Sequence, residues 1–323
     1  MRVAKDGSGE FTTIQEAIDS IPVDNKEQVI IHIGEGIYKE KLKIEKPFIS
    51  LVGADATGTL LTYDDGAHTT FENGESYGTF NSYSVYIGEN DFTATHITFE
   101  NAAGSGDIAG QALAVYVDAD RIHFKACRFL GCQDTIFTGP LPPTPIKPGS
   151  FKGPKEDAPR VNGRQFYEHC YIEGDVDFIF GSATAMFYDC EIFSKNRNQE
   201  VNGYITAPST PEGQPYGYVF EKCKLTSDCE AETVYLGRPW RDYGQTTFIN
   251  CEMGAHIKRE GWHNWGKASA EENARFQEYK SIGPGAQLSE RVKWARILTD
   301  EEITTYSKEK VLSGEDGWYP TLV

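Results

Sequence analysis

Short runs of apolar and β-branched residues, each too brief for a long helix, alternate with polar turns along most of the chain. Clear examples cover residues 28–33, 84–87, 112–117 and 246–249. Runs of this length are typical of strands, and the middle of the chain lacks the 3.6-residue periodicity that marks long amphipathic helices. The pattern therefore predicts an all-β protein built from many short strands.

A six-residue unit, aromatic-x-x-Cys-x-apolar, recurs within this pattern at spacings of 20 to 43 residues. A fixed unit at variable spacing is typical of a parallel β-solenoid, in which coils of about 20 residues or more stack and loops absorb the insertions. The sequence thus predicts a single solenoid domain over residues 1–323. The copies begin at Phe124, Tyr167, Phe187, Phe220 and Phe248, and a variant with Thr95 in the cysteine place begins at Phe92.

Five of the seven cysteines fall at the same position of this unit. This placement favours small buried side chains stacked in a ladder over a disulfide framework. Met1 is followed by a mixed polar segment rather than by a cationic and then apolar leader. We therefore expect a reducing, cytoplasmic compartment for the chain as given, and secretion if a leader has been removed.

Both ends of the chain carry the signature of a capped helix. Residues 13–16, Thr-Ile-Gln-Glu, form a capping box ahead of apolar residues at helical spacing, and Pro22 follows as a stop. Thr299 and Glu302 repeat the device ahead of Ile303. Because a solenoid needs covered ends, we predict short capping helices at both ends, the second within a C-terminal segment of about 296–323. The alternative is a pair of surface helices with no capping role.

A seven-residue pattern, G-x-x-D-x-I-F, occurs twice, at 131–137 and at 174–180, 43 residues apart. Between the copies, residues 139–164 hold seven prolines and no apolar period, and so predict a long inserted loop. If most of that loop is subtracted, the 43-residue separation of the two copies corresponds to about one coil. Asp134 and Asp177 are therefore expected on adjacent coils, with backbones about 4.8 Å apart. A lone aspartate beside glycine is usually a turn residue, but the shared offset favours a functional pair.

Two carboxyl groups at that separation cannot both ionise cheaply, so the pKa of one should rise. One aspartate then serves as an acid and the other as a nucleophile or base, in an order that the pattern leaves open. Arg238 is suited to hold one carboxylate ionised or to bind a substrate carboxylate; the alternative is an arginine packed with Trp240 at a turn. Gln133 and Gln111 are candidate amide donors to an oxyanion, although Gln111 also fits a surface polar residue.

Charge and motif content exclude several other classes of function. The net charge of −17 argues against nucleic acid and anionic membranes as partners, and no apolar run approaches a membrane span. Residues 74–78 match the G-x-S-x-G elbow of serine esterases, but a polar segment precedes them where that elbow needs a buried strand. The seven histidines lack metal-binding spacing, and no phosphate loop or dinucleotide fingerprint is present.

Several further motifs, in a consistent order, make the chain resemble the pectin methylesterase (pectinesterase) family over essentially its whole length. The resemblance implies a right-handed parallel β-helix that hydrolyses methyl esters of galacturonate units in pectin without a metal or cofactor. We expect a monomer. The motifs are Gly-Ile-Tyr-Lys-Glu at 36–40, Gln-Ala-Leu-Ala-Val at 111–115, Gln-Asp-Thr at 133–135, Asp-Phe-Ile-Phe-Gly at 177–181 and Leu-Gly-Arg-Pro-Trp at 236–240.

The resemblance also implies an order for the aspartate pair. Asp177 would be the nucleophile that attacks the ester carbonyl. Asp134 would be the general acid that protonates departing methanol and then the base that activates water. Gln111 and Gln133 would stabilise the oxyanion, and Arg238 would orient Asp177. The sugar-binding cleft would be lined by Trp240, Phe180, Phe137 and Trp265.

Two other classes of function compete with this interpretation. A polygalacturonase or a lyase on the same fold is compatible with carboxylates about 5 Å apart, but amide donors such as Gln133 suit acyl transfer, which forms an oxyanion. A catalytically silent solenoid that only binds polysaccharide would not need Asp134, Asp177 and Arg238 together.

Overall fold

The computed structural model describes residues 1–321 and shows three parallel β-sheets around one continuous apolar core. The solenoid predicted from the repeated unit is confirmed as a parallel β-helix. The strands, in chain order, are β1 (Arg2–Val3), β2 (Val29–Ile33), β3 (Gly36–Lys39), β4 (Leu42–Ile44), β5 (Ile49–Gly53), β6 (Thr59–Tyr63), β7 (Val85–Ile87), β8 (Thr93–Thr95), β9 (Thr98–Asn101), β10 (Val115–Val117), β11 (Ile122–Lys125), β12 (Arg128–Leu130), β13 (Ile136–Thr138), β14 (Arg164–Glu168), β15 (Tyr171–Gly174), β16 (Val176–Gly181), β17 (Thr184–Tyr188), β18 (Glu191–Ser194), β19 (Gly203–Pro208), β20 (Tyr218–Glu221), β21 (Lys224–Ser227), β22 (Val234–Gly237), β23 (Gln245–Ile249), β24 (Glu252–Met253), β25 (Arg275–Tyr279) and β26 (Arg296–Ile297).

From β2 to β24 each coil contributes one strand to each sheet, so every strand pairs with its counterpart one coil away. The first sheet runs β1-β2-β5-β8-β11-β14-β17-β20-β23-β25-β26. The second runs β24-β21-β18-β15-β12-β9-β6-β3, and the third runs β22-β19-β16-β13-β10-β7-β4. The third sheet carries the candidate site on its outer face.

Helices are few and short. No helix within residues 1–321 is long and apolar enough to cross a membrane. The α-helices are α1 (Ile14–Asp19), α2 (Gly106–Ala109), α3 (Ala268–Asn273) and α4 (Lys308–Leu312), and 3-10 turns occur at Thr79–Asn81, Leu288–Glu290 and Glu302–Thr305.

The repeated unit forms two ladders inside the core. Its aromatic rings stack coil upon coil, with centroids 4.4 to 5.0 Å apart. Its cysteines are free and buried one above another, as predicted. The residue before each cysteine turns the corner with a left-handed backbone, for example at Ala126, where φ is 50°, and at His169, where φ is 53°. The cysteine ladder comprises Cys127, Cys170, Cys190, Cys223 and Cys251.

The assignment of Thr95 to the cysteine place is wrong by two residues. Strand pairing aligns Phe124 with Ala94, and Arg128 with Thr98. Ile97, rather than Thr95, therefore continues the cysteine ladder in the preceding coil. Side chains alternate with a period of two along a strand, so a slip of two residues preserves the inward-facing pattern and is invisible in the sequence.

The two ends of the solenoid are covered in different ways. Helix α1 begins at the predicted box, where the Thr13 hydroxyl accepts the Glu16 N–H and the Glu40 carboxylate accepts the N–H groups of Ile14 and Gln15. At the other end Val292 and the neighbouring Trp294 pack against the core.

The C-terminal helical segment departs from the expected cap. Thr299 and Glu302 do form the predicted reciprocal box, but the turn that follows is a 3-10 turn. Helix α4 lies on the flank of the first sheet, where Val311 and Leu312 pack against side chains of β14 and β17. Its apolar face is buried against the side of the stack and not over its end.

The aromatic ladder should dominate the stability of the solenoid. Phe187→Ala removes a fully buried ring between Tyr167 and Phe220, and we expect it to lower the free energy of unfolding by about 3–5 kcal/mol. Ile37→Ala is the control, because Ile37 is 66% exposed and its loss should cost no more than about 0.5 kcal/mol. Urea titration followed by circular dichroism measures both; equal losses would contradict the ladder's role.

Candidate active site

The two aspartates lie on adjacent coils, as predicted. Asp134 precedes β13 by two residues, and Asp177 is the second residue of β16. Ile136 pairs with Ile179, so Asp134 and Asp177, each two residues earlier, occupy equivalent places. The Asp134 N–H donates to the Val176 carbonyl at 3.0 Å. Both aspartates adopt left-handed backbones, with φ of 64° and 50°, a conformation that aspartate tolerates better than most residues.

Arg238 makes a two-pronged ion pair with Asp177. Its Nε donates to Oδ1 at 2.8 Å and its Nη2 to Oδ2 at 2.7 Å. The guanidinium is also held between the rings of Tyr204 and Trp265, with its central carbon 3.8 Å from each ring centroid. Two hydrogen bonds and two stacked faces fix the orientation of this cation, and the cation in turn fixes the Asp177 carboxylate.

The two carboxyl groups experience different electrostatic environments. Burial raises the pKa of Asp134 well above its usual range, and the negative charge of Asp177 raises it further, against the pull of Arg238. Burial also raises the pKa of Asp177, but the charge and hydrogen bonds of Arg238 oppose that rise. When the pair carries a single charge, the geometry therefore favours that charge on Asp177 and the proton on Asp134.

The predicted glutamines lie next to this pair. The Ala112 N–H donates to the Gln133 carbonyl at 3.1 Å, which places Gln111 and Gln133 side by side on neighbouring coils. Both line a pocket of about 260 Å³ together with Asp134 and Asp177. Gln111 is therefore a pocket residue rather than an isolated surface polar group, and the pocket combines two carboxyl groups with two amides.

Three of the four predicted aromatic residues, Trp240, Phe180 and Trp265, line the same pocket. Phe137 does not, which corrects the prediction that it faces the cleft. Its side chain is fully buried beneath Phe80, with ring centroids 5.0 Å apart. Phe137 therefore supports the aromatic wall from below and is covered from solvent.

The sequence interpretation missed part of the pocket wall. Phe80 and Phe151 both line the pocket, and their rings meet edge to face at 5.6 Å. Phe80 belongs to the segment between β6 and β7, and Phe151 belongs to the Pro-rich loop. Neither lies in a repeated unit, so the only available signal was an aromatic residue within an otherwise polar loop.

Two residues close in sequence to these motifs or to the G-x-S-x-G match lie away from this pocket. Trp262 is buried in the core, and its indole N–H donates to the Glu278 carboxylate at 3.2 Å. Ser76, in the G-x-S-x-G match, lies in an exposed turn bridged to Thr70. It does not follow a buried strand, which agrees with rejection of the serine-esterase interpretation.

Comparison with known proteins identifies one family. A family model described as Pectinesterase matches residues 1–140 and 155–315, so the unmatched internal stretch lies within the Pro-rich loop. "Pectinesterase 31" of Arabidopsis thaliana is 40% identical over 309 residues, which cover 94% of this chain and 88% of that protein. "Putative pectinesterase 11" of the same plant is 34% identical over 325 residues, covering 99% of this chain and 81% of that protein.

Solved structures with the same fold include pectin methylesterases. The one from Erwinia chrysanthemi matches with a TM-score of 0.81 at 32% identity, over 100% of this chain and 98% of that one. A pectin methylesterase solved in complex with a hexasaccharide gives the same TM-score, identity and coverage. The one from carrot matches with a TM-score of 0.81 at 28% identity, over 100% of this chain and 97% of that one.

Arg238 should control the ionisation of Asp177. Arg238→Met removes the cation that favours the charged carboxylate, so the pKa of Asp177 should rise in the variant. Titration of the aspartate carboxyl carbons by ¹³C NMR measures the shift. Arg241→Met is the control, because Arg241 donates to the Trp240 and Thr144 carbonyls and makes no bond to Asp177. An unchanged Asp177 pKa in Arg238→Met would contradict the assignment.

Proposed function

The chain belongs to the pectinesterase family and is a carboxylic ester hydrolase, and we propose that Asp177 and Asp134 divide the hydrolysis of pectin methyl esters between them. The ionised Asp177 is the nucleophile, and the protonated Asp134 is the general acid. The observation that carries this order is the two-pronged bond from Arg238 to Asp177, because it keeps one carboxylate charged beside a neighbour whose pKa is raised.

In the first half of the reaction an oxygen of Asp177 attacks the carbonyl carbon of the galacturonate methyl ester. The carbonyl π electrons move to its oxygen, and the amide N–H groups of Gln111 and Gln133 are placed to donate to that oxyanion. When the tetrahedral intermediate collapses, the bond to the methoxy oxygen breaks. Asp134 gives its proton to that oxygen, and methanol departs. The acyl group remains on Asp177 as an acyl-enzyme anhydride.

In the second half Asp134 is ionised and acts as a base. It takes a proton from water, whose oxygen attacks the substrate carbonyl carbon of the anhydride. Collapse of this second intermediate releases the galacturonic acid unit and returns Asp177 to its ionised form. Asp134 is again protonated, so each turnover consumes one ester and one water and yields methanol and one carboxylic acid, which ionises at neutral pH.

Trp240, Phe180 and Trp265 form the apolar part of the pocket. Their rings are suited to contact the C–H faces of a sugar and its methyl ester. Trp265 has a second role, because its ring also packs against the guanidinium of Arg238. The hexasaccharide bound by a pectin methylesterase of the same fold supports a pectic oligomer or polymer as the substrate of this chain.

Substitution of the nucleophile should abolish the reaction. Asp177→Asn keeps the shape of the side chain but removes the nucleophilic charge, and we expect methanol release from methyl-esterified pectin to fall by at least about a thousand-fold. The assay follows methanol, new reducing ends and ultraviolet absorbance together, because a glycosidase would raise reducing ends and a lyase would raise absorbance. Asp24→Asn, at an exposed carboxylate, is the control. Full methanol release by Asp177→Asn would refute the assignment.

The protein's charge should make the rate depend on the ester content of the substrate. A highly methylated pectin is nearly neutral, whereas a demethylated one is a polyanion that a chain of net charge −17 repels. At low salt and matched ester concentration, we expect higher initial rates on high-ester pectin, and we expect added salt to narrow the difference because it screens repulsion. Equal rates on both substrates at low salt would contradict this expectation.

A further inference from the structure

Two loops from opposite edges of the third sheet meet above it. The first loop follows β6 and leads into the start of β7. The second is the Pro-rich loop, which begins at the end of β13. The Asn81 Nδ2 donates to the Lys152 carbonyl at 3.0 Å, and the Lys152 ammonium pairs with Glu75 at 3.0 Å. We call the meeting segments, residues 79–81 and 150–154, the bridge.

The bridge is seated directly on the outer face of the sheet. The Tyr116 hydroxyl, on β10, donates to the Pro154 carbonyl at 2.6 Å. Tyr116 and Phe137 are fully buried beneath the bridge. Gly153 lies so close to Phe80 that a Cβ at this glycine would come within 2.8 Å of the Phe80 Cβ. Direct contact therefore fills the space between the bridge and the sheet at β10 and β13.

The Pro-rich loop that carries one half of the bridge is held by two arginines. The Arg160 guanidinium donates to carbonyls of its own loop, including those of Lys155, Glu156 and Ala158. Arg241, which follows β22, donates to the Thr144 carbonyl at 3.0 Å. These bonds satisfy backbone carbonyls of an otherwise irregular segment and tie it to the far side of the pocket.

The bridge is also one wall of the catalytic pocket. The Phe80 ring centroid lies 6.3 Å from that of Phe180, on β16, and the Phe151 centroid lies 6.2 Å from that of Trp240. On the other side of the bridge a separate depression is lined by Lys43, Tyr86 and Lys155. The outer face of the third sheet is thus divided into two compartments, and the catalytic pair lies against the dividing wall.

We propose that the bridge closes one end of the substrate groove and makes this esterase act at or next to the ends of pectic chains. The inference rests on the proposed function. A galacturonate unit inside a long chain needs room for sugars on both sides of its ester. Neighbouring strands are only about 4.8 Å apart, so a bridge seated at β10 and β13 lies one or two strands from β16, which carries Asp177. The pocket that holds Asp177 is bounded by Phe80 and Phe151. The Pro-rich half of the bridge, residues 150–154, lies within the stretch that the family model leaves unmatched.

The wild-type protein tests the proposal directly. One highly methylated pectin is cut to a series of mean chain lengths and offered at equal total ester concentration. We expect the initial rate of methanol release to rise in proportion to the concentration of chain ends, and tandem mass spectrometry of early oligomer products to place the free carboxylates at terminal or penultimate units. Rates independent of length, with free carboxylates inside the chains, would overturn the proposal. Absence of methanol from every substrate would instead refute the proposed function.

Opening the bridge should remove this preference. The double variant Asn81→Ala with Phe151→Ala deletes the inter-loop hydrogen bond and the aromatic contact, and we expect its ratio of long-chain to short-chain rates to rise several-fold. Ile146→Ala is the matched control, because Ile146 is in the same loop and 68% exposed; its ratio should equal that of the wild type. A folded double variant with an unchanged ratio would contradict the proposal. If the double variant does not fold, the wild-type length series decides the question.

Discussion

Two buried carboxyl groups one coil apart impose the constraint on which the rest of this site depends. Burial disfavours charge on either group, and a charge on one disfavours charge on the other. Arg238 breaks the symmetry, because both of its bonds go to Asp177. A buried pair of this kind contributes little net stability, since the desolvation of its charges offsets their attraction. Its effect is to favour different protonation states in two chemically identical side chains.

The solenoid supplies the distance and the orientation that this constraint requires. Stacked rings and cysteines fix the register of each coil on the next, so residues at equal offsets face the same way. The same register places Gln111 beside Gln133 and brings Tyr204 under the Arg238 guanidinium. A shift of one residue in any of these strands would turn the side chains of the site into the core. Packing in the interior and chemistry on the surface are therefore coupled through strand register.

The sequence was sufficient to predict what repeats. The fold followed from the recurring unit, and the adjacency of Asp134 and Asp177 followed from their shared offset. What depended on contacts between distant segments could not be predicted. Phe80 and Phe151 are 71 positions apart in the chain, and their meeting buries Phe137, which the family resemblance placed in the cleft. The capping box at Thr299 and Glu302 likewise indicated a helical segment near residue 303 but did not identify the surface against which α4 packs.

The central claim is that Asp177 is ionised and Asp134 is protonated in the free protein at neutral pH. The most direct measurement is ¹³C NMR titration of the aspartate carboxyl carbons in the wild-type protein, with the two signals assigned by their loss in Asp177→Asn and Asp134→Asn. We predict that Asp177 titrates at the lower pH and that Asp134 remains protonated at pH 7. An ionised Asp134 at pH 7, whether alone or together with Asp177, would contradict the account.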